Sequence, residues 1–216
     1  MPEVRTQTHR LPAEDRRRQL LETALDLFSR KGFEGTTTKG VATAAGVTEA
    51  IIFRHFPNKQ ALYAAVLDYH HRSEEVQEWF AGCKEFMDRK DDAGLFRSIA
   101  AKIVESYRKD PRLQRALLFA ALEGHEQGMA YHRQLSIPFF ALIHQYVAKR
   151  QTEGALANYN AGAIIAAIAG MAAHYAIMTE MFGFDLKTSD TLMVDNFTNI
   201  LMTGIQGPGT HQEAQI

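Results

Sequence analysis

The chain has 216 residues, 46% of them hydrophobic and 23% charged, with a formal net charge of −1. That is enough for one large domain or two small ones with a packed core. A single cysteine, Cys83, excludes a disulfide framework and any multi-cysteine zinc site and points to a reducing compartment. No basic-then-apolar stretch opens the chain, so no signal peptide is expected and the expected location is the cytoplasm.

Charge is unevenly placed. Residues 1–60 hold ten Lys/Arg against seven Asp/Glu, the remainder fourteen against eighteen. A basic head on an acidic body suits a nucleic-acid-reading end. Helical spacing dominates and strand signals are nearly absent, so the fold class is all-α.

Residues 1–12, polar and carrying Pro2 and Pro12, read as a flexible N-terminal arm. A first helix starts near Ala13 or Glu14. Acidic Glu14 and Asp15 suit its positive end, and Leu20, Leu21, Ala24, Leu25 and Phe28 form its apolar stripe. Gly32, just past basic Arg30 and Lys31, ends it. Two short helices follow, about 38–45 and 49–56, broken by Pro57 and Asn58. A long helix is expected over roughly 59–84, with Leu62, Val66 and Tyr69 on one face, then a polar loop at 88–92.

One helix spans roughly 94–109. Asp110-Pro111 restarts the chain with an Asp cap and a first-turn proline. That helix fades at 124–128, and the next runs to about Glu153 with a kink expected at Pro138 inside it. The last two are expected at 158–182 and 188–205. The Gly-Pro-Gly tail, 207–216, reads as disordered.

The segment from Thr36 to Lys59 has the grammar of a helix-turn-helix. Ala42 and Ala45 are small enough for two helices to meet. Gly46 tolerates the positive φ of the turn, and Thr48 can cap the second helix. Val41, Val47, Ile52 and Phe56 have the phase to anchor both helices on the first. One face of the second short helix then stays free for the DNA major groove. It carries Glu49, Ala50, Ile51, Arg54 and His55. Arg54 suits bidentate contact with guanine, and Ala50 and Ile51 suit thymine methyls. Thr37, Thr38, His55 and Lys59 are placed to hold phosphates.

These residues resemble the TetR family of one-component bacterial transcription regulators. The likeness runs from about Arg16 to Leu67, through Ala-Leu-Asp-Leu-Phe (24–28), Lys-Gly-Phe-Glu-Gly-Thr-Thr (31–37), Val-Ala (41–42), Ala-Gly-Val (45–47) and Arg-His-Phe-Pro-Asn-Lys (54–59). The resemblance implies a nine-helix chain, with three helices for DNA (13–58) and six for an effector-binding and dimerisation body (59–206). It puts DNA contacts at Thr37, Thr48, Ala50, Ile51, Phe53, Arg54, His55 and Lys59. Phe53 stands where the family commonly has tyrosine, and Ile51 where it has Thr or Ser.

No charge lies between Glu153 and Glu180. Asn158, Asn160, three glycines, His174 and the lack of a basic flank favour a buried helix over a membrane span. Gly162, Ala166, Gly170 and Ala173 form one small-residue stripe that admits another helix. With Leu192, Met193, Phe197, Ile200, Leu201 and Gly204 they suggest a two-fold four-helix interface, and the resemblance implies the same pair dimerises. Candidate pocket residues for a small apolar or aromatic effector are Tyr107, Phe119, Leu122, Phe140, His144, Met171, His174, Tyr175 and Met178.

The expected function is a homodimeric repressor that binds palindromic double-stranded DNA and is released by a small molecule. No cofactor or metal is expected and the chain is not expected to be an enzyme. Two other readings stand beside it. A di-iron enzyme on a helical bundle needs Glu-x-x-His on two helices; no such motif occurs, and Asp68-x-x-His71 is the nearest approach. A chromosome- or division-linked DNA binder would use the same motif without an effector.

Overall fold

The computed structural model describes residues 12–205, and all regular structure in them is helical. The expected arm up to residue 11 and the tail from 207 lie outside the described residues. Ten helices run in order: α1 Ala13–Lys31, α2 Thr38–Ala44, α3 Glu49–His55, α4 Lys59–His71, α5 Glu74–Asp88, α6 Asp92–Lys109, α7 Arg112–Leu122, α8 Glu126–Thr152, α9 Ala161–Glu180 and α10 Asp190–Ile205.

The tenth helix comes from the stretch expected to be one helix over 59–84, which is two. Ser73 stops the first and caps the second, its hydroxyl accepting from the Val76 amide, with Glu74 and Glu75 in the first turn. The loop expected at 88–92 is shorter, because α5 runs to Asp88 and Asp91 already caps α6 through the Gly94 amide at 2.8 Å. Pro138 lies inside α8, which runs from Glu126 to Thr152 without a break.

The chain forms two compact units. The first comprises residues up to His70 together with Arg112–Tyr131, so it holds α1 to α4, α7 and the first turn of α8. This differs from the expected boundary at 58/59, which put α7 in the body. Its core is built on the α1 stripe: Leu20, Leu21, Ala24, Leu25 and Phe28 are all buried, against Val41, Ile52, Phe56, Leu62, Tyr63, Val66 and Ala116. A fully buried side chain of this kind stabilises the fold by about 1.5–3 kcal/mol.

α7 packs along α1. Arg112 pairs with Glu22 at 2.9 Å at one end, and the Tyr63 hydroxyl donates to the Ala116 carbonyl in the middle. Burial, and secondarily the charge of Glu123, push the Tyr63 phenol up to about 12.

The second unit holds α5, α6, most of α8, α9 and α10. α6 is its centre and packs on α5, α9 and α10. Leu95, Phe96, Ile99, Ala100 and Val104 of α6 meet Ile164, Ile165, Ile168 and Ala172 of α9 in one core. Two ion networks lie in this unit. Buried Asp92 accepts the Tyr146 hydroxyl at 2.5 Å and the Arg150 guanidinium at 2.9 Å. Arg108 pairs with Asp190 at 2.7 Å and with Glu180, and Tyr175 donates to Asp190 at 2.7 Å.

Candidate DNA-binding face

The helix-turn-helix is fixed by a few local bonds. Thr37 caps α2, its hydroxyl accepting from the Gly40 amide at 2.9 Å. Gly46 has φ of 67°, the left-handed turn that glycine permits, and the Val47 amide reaches back to the Ala42 carbonyl at 2.9 Å. Val41, Ala42, Ala45, Ile52 and Phe56 are buried as expected, whereas Val47 is only half-buried.

Thr48 does occupy the cap position of α3, but its side chain makes no capping bond, which corrects the expectation. The start of α3 is secured differently. The Ile51 amide bonds to the Thr48 carbonyl at 2.9 Å, and the Thr38 hydroxyl donates to the Glu49 carboxylate at 2.6 Å. That bond joins the first turns of α2 and α3 and sets one helix against the other. It also turns Glu49 towards α2.

With Ile52 and Phe56 inside, α3 presents the rest of its surface outward. Ala50, Phe53 and Arg54 are exposed, Phe53 by 49%, and Ile51 and His55 are half-buried. Thr37 and Thr48 are exposed and Thr38 is half-buried. Asn58 caps α4 through the Ala61 amide at 2.8 Å.

Lys59 is engaged within the head. Its ammonium donates to the Phe33 carbonyl at 2.9 Å and lies 4.1 Å from the centre of the Phe33 ring. One of its three N–H donors is therefore committed.

Two residues missed in the sequence belong to this region. Arg16 lines a hollow of about 610 Å³ with Pro12, Ala13, Val47, Ile51, Arg54 and His55. Gln19 accepts from Arg16 at 2.6 Å and donates to the Ala45 carbonyl at 3.3 Å, tying α1 to the turn. The signal was available: Arg16 stands one turn before Leu20 on the stripe that faces the helix-turn-helix.

The expected effector residues are dispersed. Phe119 and Leu122 belong to the first unit, where Leu122 is 86% exposed. In the second unit, Tyr107 and Tyr175 are buried and Met171 and Met178 half-buried, while Phe140, His144 and His174 are on the surface. An aromatic cluster escaped notice there. The Phe139 ring lies 4.9 Å from those of Trp79 and Phe80, and the Trp79 indole donates to the Ser98 hydroxyl at 2.9 Å. Trp79 and Ser98 also line a groove of about 420 Å³ with Phe86 and Ala101.

On the outer side of α9, Gly162, Ala166 and Gly170 are exposed and Ala173 half-buried. A methyl group added at Gly170 would meet nothing within 4 Å. On α10, Ile200 is 64% exposed, Met193 and Phe197 are half-buried, and Leu201 turns into the core. α9 is long and apolar enough to cross a membrane, yet Ile164, Ile165, Ile168 and Ala172 pack inside the unit. Among the described residues, no group of three His, Cys, Asp or Glu side chains is placed to hold a metal ion.

Residues 20–66 match the model for bacterial regulatory proteins of the tetR family. The HTH-type transcriptional regulator TtgR of Pseudomonas putida is 33% identical over 103 residues, 48% of each chain. The uncharacterised HTH-type regulator YvkB of Bacillus subtilis is 47% identical over 53 residues, 24% of this chain and 28% of that one. The chain thus spans about half or less of the length of these curated relatives. Among solved structures, NalD of Pseudomonas aeruginosa, described as the secondary repressor of the MexAB-OprM multidrug efflux pump, superposes with a TM-score of 0.66 at 20% identity. That match covers 90% of this chain and 98% of NalD, and at such identity it speaks for the fold.

Proposed function

We infer, from the membership of this chain in the TetR family of bacterial regulatory proteins, that it is a cytoplasmic repressor that binds a palindromic operator as a homodimer and leaves it when a small molecule binds. The observation that carries this reading is α3: buried through Ile52 and Phe56, it turns Ala50, Phe53 and Arg54 outward, with no carboxylate bonded to Arg54 among the described residues.

In this reading α3 enters the major groove. Arg54 reads guanine, Ala50 and Ile51 meet thymine methyls, and Thr37, Thr48, His55 and the remaining donors of Lys59 hold phosphates, Thr38 contributing only its backbone amide because its hydroxyl donates to Glu49. Glu49, bonded to Thr38, positions α3 rather than reading bases. Phe53 supplies an apolar contact to the sugar-phosphate strand.

Dimerisation through α9 and α10 is supported by how little of α9 the single chain covers. Of its most apolar 18-residue window, 39% is buried. A second copy laid on Gly162, Ala166, Gly170 and Ala173, with Met193, Phe197 and Ile200 beside them, would cover the rest. Two recognition helices must then sit about one DNA turn apart, roughly 34–36 Å. An effector that favours another separation lowers operator affinity by its differential binding to the two states. The aromatic cluster of Trp79, Phe80 and Phe139 supports an apolar or aromatic effector.

The test is an electrophoretic mobility shift on the DNA flanking the chain's own gene. Binding to one fragment, outlasting competitor DNA, is the expected result. Failure to shift any flanking fragment specifically would overturn the reading.

A further inference from the structure

The hollow between α1 and α3 is built for more than packing. Part of its lining is apolar: Pro12, Ala13, Val47 and Ile51. The rest is basic: Arg16 on α1, Arg54 and His55 on α3. Two of the neighbouring carboxylates are engaged elsewhere, and the third, Glu14, does not line the hollow. Asp15 holds Arg18 at 3.0 Å, and Glu49 accepts from Thr38. Among the described residues, none of the three basic side chains is bonded to a carboxylate.

Arg16 is also held in place. One guanidinium nitrogen donates to Gln19, whose amide donates to Ala45, the residue before the turn glycine. Among the described residues most of its five N–H donors have no further partner, and the charge is tied to the turn before α3. By contrast, Arg17 lies over the Phe56 ring at 5.0 Å and Arg18 is paired with Asp15. Of three consecutive arginines, the one lining the hollow is, among the described residues, the one without a ring or carboxylate partner.

Apolar side chains beside basic ones complement a deoxyribose-phosphate strand, whose sugars are apolar-faced and whose phosphates are anionic. A strand in that position is the one that borders the groove α3 would occupy. We propose that the α1 side of the hollow meets the DNA backbone strand flanking the recognition groove, with the Arg16 guanidinium on a phosphate and Gln19 as the residue that positions it, while Ile51 and Arg54 on the α3 side face the bases. This rests on the DNA-binding reading above and adds a contact from α1 that the helix-turn-helix does not supply. It predicts a division of labour: Arg54 carries base preference, and Arg16 carries affinity without preference.

The experiment measures binding of the full chain to a duplex pool of mixed sequence across a salt series, for wild type, Arg16→Ala, Arg16→Lys and Arg54→Ala, with thermal melting of each. A phosphate contact contributes about −0.9 to the slope of log K against log salt. Arg16→Ala should flatten that slope by about one unit per DNA-bound subunit and weaken all duplexes alike, whereas Arg16→Lys should restore the slope. Arg54→Ala should instead change which duplexes are recovered from the pool. A slope unchanged in a folded Arg16→Ala protein overturns the proposal, as does a change in recovered sequence that matches Arg54→Ala. If wild type binds no duplex, the DNA-binding reading itself falls, an outcome distinct from either.

Discussion

The carboxylate of Glu123, just past the end of α7, accepts the backbone N–H of Phe33 at 2.8 Å across ninety positions of sequence. The same oxygen also takes the Glu34 amide at 3.3 Å. These amides follow the end of α1, at Gly32, whose φ of 71° suits glycine. A side chain there would also collide with the Glu123 carboxylate. His125 stacks on the Phe33 ring at 3.6 Å, and Lys59 lies against that ring too.

Removing this bond should loosen the first unit. Glu123→Ala leaves the Phe33 amide without its partner and should cost about 1–3 kcal/mol. Gly32→Ala should cost at least as much, through backbone strain and collision together. Urea unfolding followed at both units reads this out; an unchanged midpoint in both variants would show that the bond contributes nothing.

His125 makes the same region pH-sensitive. Burial holds its imidazole below the ordinary value of 6.5, outweighing the carboxylates of Glu34 and Glu123 that raise it, while Lys59 lowers it further. Below 6.5 the unfolded chain therefore binds protons that the folded chain resists, so stability falls as pH falls towards the depressed folded value. Above 6.5 the contribution is fully present. His132, lowered by burial and then by His71 and Arg133, acts with the same sign. His125→Gln should shrink the loss of stability on the acid side, measured as denaturation midpoints across that window. The same pH dependence in variant and wild type would remove His125 from the account.

Arg54→Ala should lower specific operator binding by about 1–3 kcal/mol and relax preference at one base pair. Lys59→Ala should do two things at once. Lost contact with Phe33 should lower stability, and any phosphate contact should appear as a shallower salt slope. A stability loss with an unchanged slope would make Lys59 purely a packing residue.

Much of the head was legible because its rules are local. The α1 stripe, Gly32, Gly46 and the Pro57-Asn58 break each act within a turn or two of sequence. The break at Ser73 was legible in principle, as a serine followed by two glutamates, but the apolar spacing on either side concealed it. Thr38 to Glu49, Arg16 to Gln19 to Ala45, and Glu123 to Phe33 are side-chain choices fixed only once helices have packed, and no periodicity announces them. The candidate effector residues were the least legible, because an aromatic at helical spacing has the same pattern whether it ends in a core, as Tyr175 does, or on the surface, as Phe140 does.

Gly170→Leu tests the α9 face. Within one chain the added side chain has open space, so the fold should be kept. Across a helix pair it would force the backbones apart, and light scattering should show monomers. A dimer that survives the change would place the interface elsewhere.

The lone thiol should be silent. Cys83 is fully buried, and burial pushes it up to about 11 despite a hydrogen bond with Ser98 that lowers it. Thiol reagents at pH 8 should label it only on unfolding. Rapid labelling of the native protein would mean that α5 opens readily.

The first unit takes residues 112–131 from far along the chain, and the polypeptide passes between units three times. Heads of this kind are often imagined as interchangeable cassettes that can be cut at the end of the third helix and spliced onto another body. Here such a cut would strip α1 of α7, leaving Glu22 without Arg112 and the Phe33 amide without Glu123. A working hybrid would have to transplant the discontinuous segment as well. In inheritance as in engineering, mutations around Phe33 and around Glu123 should travel together.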